Sequence, residues 1–206
     1  MKYIFVTGAP GSKWSSVVKN IYYSPDINRS DYSDARTYYH DASGQRELMH
    51  LGAYFDPGME FGRFFHLLSM YDKATLEKDF DEPFSGPGVR IIKSHVFANH
   101  IDHLKALWPE CPVVLVHRDD DACLGWWVKC GHFDITYPLY NEYYRDLRTM
   151  AGIIREQNEG IVAAQLKYYG RHPLTNHELA SILNLVWPPG EYRQDYGQSN
   201  IRVTVI

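Results

Sequence analysis

The 206-residue chain carries a formal net charge of −4, 45% hydrophobic residues and three cysteines. That balance offers no global attraction to nucleic acid or to an anionic membrane, so any anion site must be local. Cys111, Cys123 and Cys130 form neither an even framework nor a CxxC pair, no apolar run approaches the roughly 18 residues of a membrane helix, and no secretory leader precedes the first strand, so one cytoplasmic domain over residues 1–206 is expected.

Ile4-Phe5-Val6-Thr7 reads as a short buried strand running into Gly8-Ala9-Pro10-Gly11-Ser12-Lys13-Trp14-Ser15-Ser16. Trp14, Val17, Val18, Ile21 and Tyr22 then recur at helical spacing until Ser24-Pro25-Asp26 ends the helix. A strand, a glycine-rich turn and a helix start together make a phosphate cradle, because unpaired amides and the helix dipole attract anions. A Walker A loop counted from Gly8 requires Gly at 13 and Lys at 14, where this chain has Lys13 and Trp14. The loop therefore offers donors for phosphate without an obvious magnesium ligand.

Residues 24–60, rich in Tyr, Asp, Ser and Gly, read mostly as loop with short helices, and segments of that length are often functional. Residues 61–80 hold one or two helices, and residues 83–88 form a turn cluster. Val89-Arg90-Ile91-Ile92-Lys93 is a second strand, ending at Ser94-His95. Asn99 is expected to cap a helix bearing Ile101, Leu104, Leu107 and Trp108. Residues 112–117 form a third strand, apolar on both faces, followed by Arg118 and an acidic helix start at Asp119, Asp120 and Asp121. This connection predicts a parallel, right-handed βαβ unit and an α/β fold. From Leu139, the series Tyr143, Leu147, Met150 and Ile154 marks a long helix, broken near Gly160 and resuming to Tyr168. Thr175 caps a further helix through Leu183, and residues 201–206 alternate as an edge strand able to pair two copies into a homodimer.

In an open parallel sheet, ligands bind beyond the carboxyl ends of the strands. Here those ends gather the loop at residues 8–16, Lys93-Ser94-His95, and His117-Arg118. With these motifs the chain resembles the nucleotide-dependent sulfotransferases that use 3′-phosphoadenosine 5′-phosphosulfate (PAPS), as a short, divergent member. Residues 10–15 match in part the family's Pro-x-Ser-Gly-Thr-Thr loop, and Lys93-Ser94-His95 matches its Lys-Thr/Ser-His. The strand ending in Arg118, with Asp121 and Trp126-Trp127 after it, matches a third motif, and the order agrees over roughly residues 3–130.

The resemblance implies a three-layer P-loop-like fold with a central parallel sheet flanked by helices, and PAPS as co-substrate with no metal. It implies a small-molecule or glycan hydroxyl acceptor. His95 is then the general base and Lys93 a second catalytic group, while Pro10, Gly11, Ser12, Lys13, Trp14, Ser15, Ser16 and Arg118 contact the nucleotide. The residue types suit that chemistry: imidazole takes a hydroxyl proton near neutral pH, fixed Lys cations offset charge on bridging oxygens, and the Arg fork fits a terminal phosphate. The chain departs from the pattern in three places. Lys13 stands at the family's loop glycine, Gly125 aligns with its phosphate-binding serine only after a one-residue deletion, and Arg193 to Gly197 alone approximates its C-terminal Arg-Lys-Gly loop.

Plainer readings stand beside these. Lys93 could be a solvated strand terminus, and Arg118 could pair with Asp119 or Asp121. His100 and His103 read as a solvated helix face, since no Cys or carboxylate is spaced to complete a metal site with His95. Cys123, Trp126, Trp127 and Cys130 form a stripe whose default is core packing. The whole could also be a Mg-ATP-dependent small-molecule kinase with a degenerate Walker loop, although its later strands end in Lys-Ser-His and His-Arg where that kinase needs Asp. A non-catalytic nucleotide-binding module is the third alternative.

Overall fold

A computed structural model describes residues 1–32, 37–38, 48–49, 51–56, 65–129, 146–187, 196 and 199–206. The described elements are β1 (Tyr3–Gly8), α1 (Trp14–Tyr22), β2 (Thr37–Tyr38), β3 (Leu48–Met49), β4 (Ala53–Tyr54), α2 (Lys73–Asp81), β5 (Arg90–Lys93), α3 (Ile101–Leu107), β6 (Val113–His117), α4 (Asp120–Lys129), α5 (Leu147–Tyr168), α6 (Asn176–Ile182) and β7 (Arg202–Val205). Short 3-10 turns occupy Phe65–Met70 and Val96–Asn99.

Among the described residues the main sheet runs β4-β5-β1-β6-β7, with β2 and β3 forming a separate pair. The first four of those strands are parallel, and β7 lies antiparallel on β6. β1 is central because all six of its residues are buried, so it has an apolar face for each side of the sheet. Ile4 and Val6 pack with Val18, Ile21 and Leu179 of α1 and α6, while Tyr3 and Phe5 pack with Phe80, Leu104 and Ile161 of α2, α3 and α5. Part of the high aromatic content is therefore core: Phe5 lies 5.3 Å from Trp108 and 5.7 Å from Phe80, centroid to centroid. Such pairs each contribute about 0.5–1.5 kcal/mol beyond their buried area.

The expected parallel relation of β5 and β6 holds, with β1 lying between them. Several other expectations are corrected. The segment read as loop contributes β4, whose ladder continues as the Phe55 amide donates to the Lys93 carbonyl at 2.8 Å. Asn99 caps nothing: it ends a 3-10 turn, His100 takes the cap position, and the Asn99 amide group donates to Glu156 of α5 at 2.9 Å. α5 does not break at Gly160. A Cβ there would sit 2.3 Å from the Ala98 carbonyl oxygen, so this glycine admits the neighbouring turn rather than ending the helix. α5 begins at Leu147, where Asp146 accepts from the Thr149 amide; the expected start at Leu139 and the residue Tyr143 lie outside the described residues.

Other local expectations hold. Thr175 accepts from the Glu178 amide at 3.2 Å while Glu178 accepts from the Leu174 amide at 2.7 Å, a reciprocal pair close to a capping box. β7 is an edge strand, although Arg171 and Val205 exchange backbone hydrogen bonds on its outer side. No helix among the described residues is long and apolar enough to cross a membrane.

Candidate functional site

The loop after β1 is built by two residues in the left-handed region, Gly11 at φ 81° and Lys13 at φ 65°. Between them Ser12 is buried, its amide donating to the Ala9 carbonyl at 2.9 Å and its hydroxyl oxygen making no hydrogen bond among the described residues. α1 then starts without a side-chain cap and without an acidic residue in its first turn. Left-handed turns of this kind aim successive amides at one point, and an uncapped helix start adds the positive end of the dipole. Position 13, where the sulfotransferase-like pattern has glycine, thus keeps glycine's conformation with a lysine in it.

That substitution carries a measurable cost. Lys13→Gly is expected to be about 1 kcal/mol more stable than Lys13→Ala in urea denaturation, because both lose the Lys side chain and only glycine accepts a left-handed φ freely. Equal stability would mean that the turn is not strained.

The remaining loop residues divide by role. Pro10 is buried and Ser15 half-buried. The Ser16 hydroxyl donates back to the Lys13 carbonyl at 2.7 Å, which engages it inside the turn. Trp14 is a buried wall whose ring lies 4.1 Å from that of His95.

β5 delivers the next group. Lys93 is fully buried, with Nζ 5.4 Å from the Tyr54 ring and 5.7 Å from the Trp14 ring, so it is no solvated strand terminus. His95 is buried with Nδ1 against the carbonyl oxygen of Gly8. A carbonyl only accepts, so Nδ1 carries the proton and the neutral ring keeps a lone pair at Nε2. Among the described residues, Nε2 makes no hydrogen bond. Burial lowers the His95 pKa, and Lys93 adds to that, against a smaller opposing pull from Asp56 and the Gly8 carbonyl. The imidazole therefore stays neutral below its ordinary value of 6.5.

Burial is likewise the first cause of lowered values at His100 and His117. The unfolded chain binds these protons near 6.5 and the folded chain resists them, so stability is complete above that value and declines as pH falls toward the lowered ones. Urea unfolding is expected to show a lower midpoint at about pH 5.5 than at about pH 7.5. A flat profile across that window would contradict the buried neutral histidines.

Asp56 is the residue that sequence reasoning missed. It is fully buried just past β4; one carboxylate oxygen accepts from the Ser94 hydroxyl at 2.8 Å and the His95 amide at 3.0 Å, and the other from the Tyr54 hydroxyl at 2.9 Å. It holds the turn that presents His95. The signal was present as an apolar run, Ala53-Tyr54-Phe55, ending in a carboxylate.

β6 delivers Arg118, buried against the loop. Its Nη1 donates to the Gly11 carbonyl at 2.9 Å, and its Nε is buried with no hydrogen bond among the described residues. It does not pair with Asp119 or Asp121; Asp119 sits 4.0 Å from Arg202 instead. The Arg118 carbonyl is held by Asn158 of α5 at 2.8 Å and by the Cys123 thiol at 3.3 Å. Burial pushes that thiol up to about 12, which leaves it unreactive. Trp127 is core, as its stripe suggested, whereas Trp126 is half-buried. Cys130 and residues 193–195 and 197 lie outside the described residues.

The arrangement brings an anion cradle, a neutral imidazole, a buried Lys and a guanidinium to the carboxyl end of one sheet. It can hold an anionic group and take a proton beside it. No family model, no curated protein and no solved structure matches the chain.

Proposed function

We propose that this chain is a PAPS-dependent sulfotransferase of three-layer, P-loop-like architecture that moves a sulfuryl group to the hydroxyl of a small-molecule or glycan acceptor. The observation that carries the reading is the hydrogen bond between His95 Nδ1 and the Gly8 carbonyl. Gly8 ends β1 and opens the loop, so one contact fixes both the base's tautomer and its position relative to the anion cradle.

The residues fit an anionic nucleotide. The Ser12 hydroxyl and Arg118 Nε are buried polar atoms without partners among the described residues, and such atoms are costly unless a ligand completes them. The turn at Gly11, Ser12 and Lys13, with the start of α1, would hold the 5′ end, and Arg118 the phosphate on the ribose. PAPS, when bound, would supply the sulfuryl group: as the acceptor oxygen bonds to sulfur, the phosphosulfate S–O bond breaks and adenosine 3′,5′-bisphosphate leaves. His95 Nε2 takes the acceptor's hydroxyl proton, Lys93 provides a fixed positive charge from the end of the same strand, and Asp56 keeps the Ser94-His95 backbone in place.

Asp56 is also the one observation favouring the kinase reading, since it is the strand-end carboxylate that reading wants. Its two oxygens already accept from Tyr54, Ser94 and the His95 amide, a pattern suited to positioning rather than to holding magnesium. Calorimetry with adenosine 3′,5′-bisphosphate in a chelator, run beside Mg-ATP, separates the two. Tight binding of the bisphosphate without magnesium supports the sulfotransferase, and binding of Mg-ATP alone would replace it with the kinase.

A further inference from the structure

At the edge of the sheet opposite the loop, a cavity of about 470 Å³ opens where β6 starts and β7 ends. That volume suits a small molecule, whose sites span about 300–1,000 Å³. Pro112, Ile182, Leu183 and Val205 supply apolar walls. Lys105 and Arg171 line the same space, and among the described residues neither makes an ion pair. The Lys105 ammonium gives two of its three N–H groups to the carbonyls of Pro109 and Cys111, both at 3.2 Å. Arg171 is anchored to β7 by backbone hydrogen bonds with Val205, and its Nη2 donates to the Ile182 carbonyl at 3.0 Å. Most of its fork is left to bind something else. Burial lowers the Lys105 pKa, against smaller opposing pulls from Cys111 and Glu110, so a bound anion would favour its charge. Glu110, the acidic side chain of the described lining, is exposed and lies 3.7 Å from the Cys111 thiol.

Backbone conformation marks the same place. Of the three described non-glycine residues in the left-handed region, Lys13 shapes the loop, while Tyr169 at φ 49° and Asn184 at φ 54° both line this cavity. Each follows a helix end, where glycine or asparagine is usual and a bulky aromatic is not. Tyr169 is 90% exposed, so packing within the fold does not account for an aromatic ring there.

We infer that this cavity binds a small organic anion with an apolar body, its acidic group on Lys105 and Arg171 and its body against Leu183 and Val205 beside the Tyr169 ring. The two cations disfavour a positively charged ligand, and a neutral one would leave their free N–H groups unmet. The site is independent of the sulfotransferase reading, because the loop and His95 lie at the other end of the same strands.

The test uses the full chain, with 8-anilinonaphthalene-1-sulfonate as a fluorescent probe and decanoate or decan-1-ol as competitor. Saturable binding is expected, displaced by decanoate at concentrations at which decan-1-ol has little effect. Arg171→Gln is expected to weaken the probe about tenfold. Tyr169→Gly separates binding from folding: glycine accepts the left-handed φ freely, so the urea midpoint should hold or rise while the probe weakens about fivefold. If the probe does not saturate, if either variant binds it as the wild type does, or if decan-1-ol competes as well as decanoate, the site is overturned.

Discussion

His95→Gln is expected to lower sulfuryl transfer by about a hundredfold or more while binding of adenosine 3′,5′-bisphosphate stays within about twofold of wild type. Glutamine keeps a side-chain amide able to donate to the Gly8 carbonyl, so the packing between Trp14 and Tyr54 is disturbed little. It cannot take a proton, and that is the difference being measured. The pH profile gives an independent check. Because burial lowers the His95 pKa, the wild-type kcat should hold through 6.5 and fall only below it, and the variant's residual rate should lack that acid limb. Transfer undiminished in His95→Gln would remove this residue as the base, whatever the nucleotide does.

The sequence was most legible where burial is complete. β1 and β6 are fully buried, so they read as uninterrupted apolar runs, and each is bounded by Gly or Pro. Their ends place the loop and Arg118, which is why that part of the candidate site is legible in the sequence. β4 has two residues, too few for any period to show, and Asp56 behind it was lost with it. Gly160 misleads for a different reason. Glycine weakens a helix in isolation, but here the neighbouring Ala98 carbonyl needs the space, and tertiary packing overrode the local preference. Trp14 carried a similar ambiguity: spacing placed it both in the loop and on the apolar face of α1, and only its 4.1 Å contact with the His95 ring shows that it joins the two.

Gly11→Ala tests the cradle at the point where no side chain can adapt. The φ of 81° costs an L-residue about 1–2 kcal/mol by itself. The added methyl would also lie 2.1 Å from the Cys123 carbonyl oxygen and 2.8 Å from its carbonyl carbon. Those are backbone atoms inside α4, so relief requires moving the helix or opening the loop. Moving α4 disturbs the Cys123 contact to the Arg118 carbonyl, and opening the loop breaks the 2.9 Å bond from Arg118 to Gly11. Either way the anion donors separate. A stability loss of about 3 kcal/mol or more is expected, with nucleotide binding weakened well over tenfold in whatever fraction remains folded. Gly125→Ala on the same helix is the control: its Cβ would meet nothing within 4 Å, and replacing a helical glycine should stabilise by about 0.5–1 kcal/mol. Urea denaturation of the pair reads both signs. A Gly11→Ala protein as stable as wild type, still binding the bisphosphate, would show that the loop does not close against α4 and that the cradle lies elsewhere.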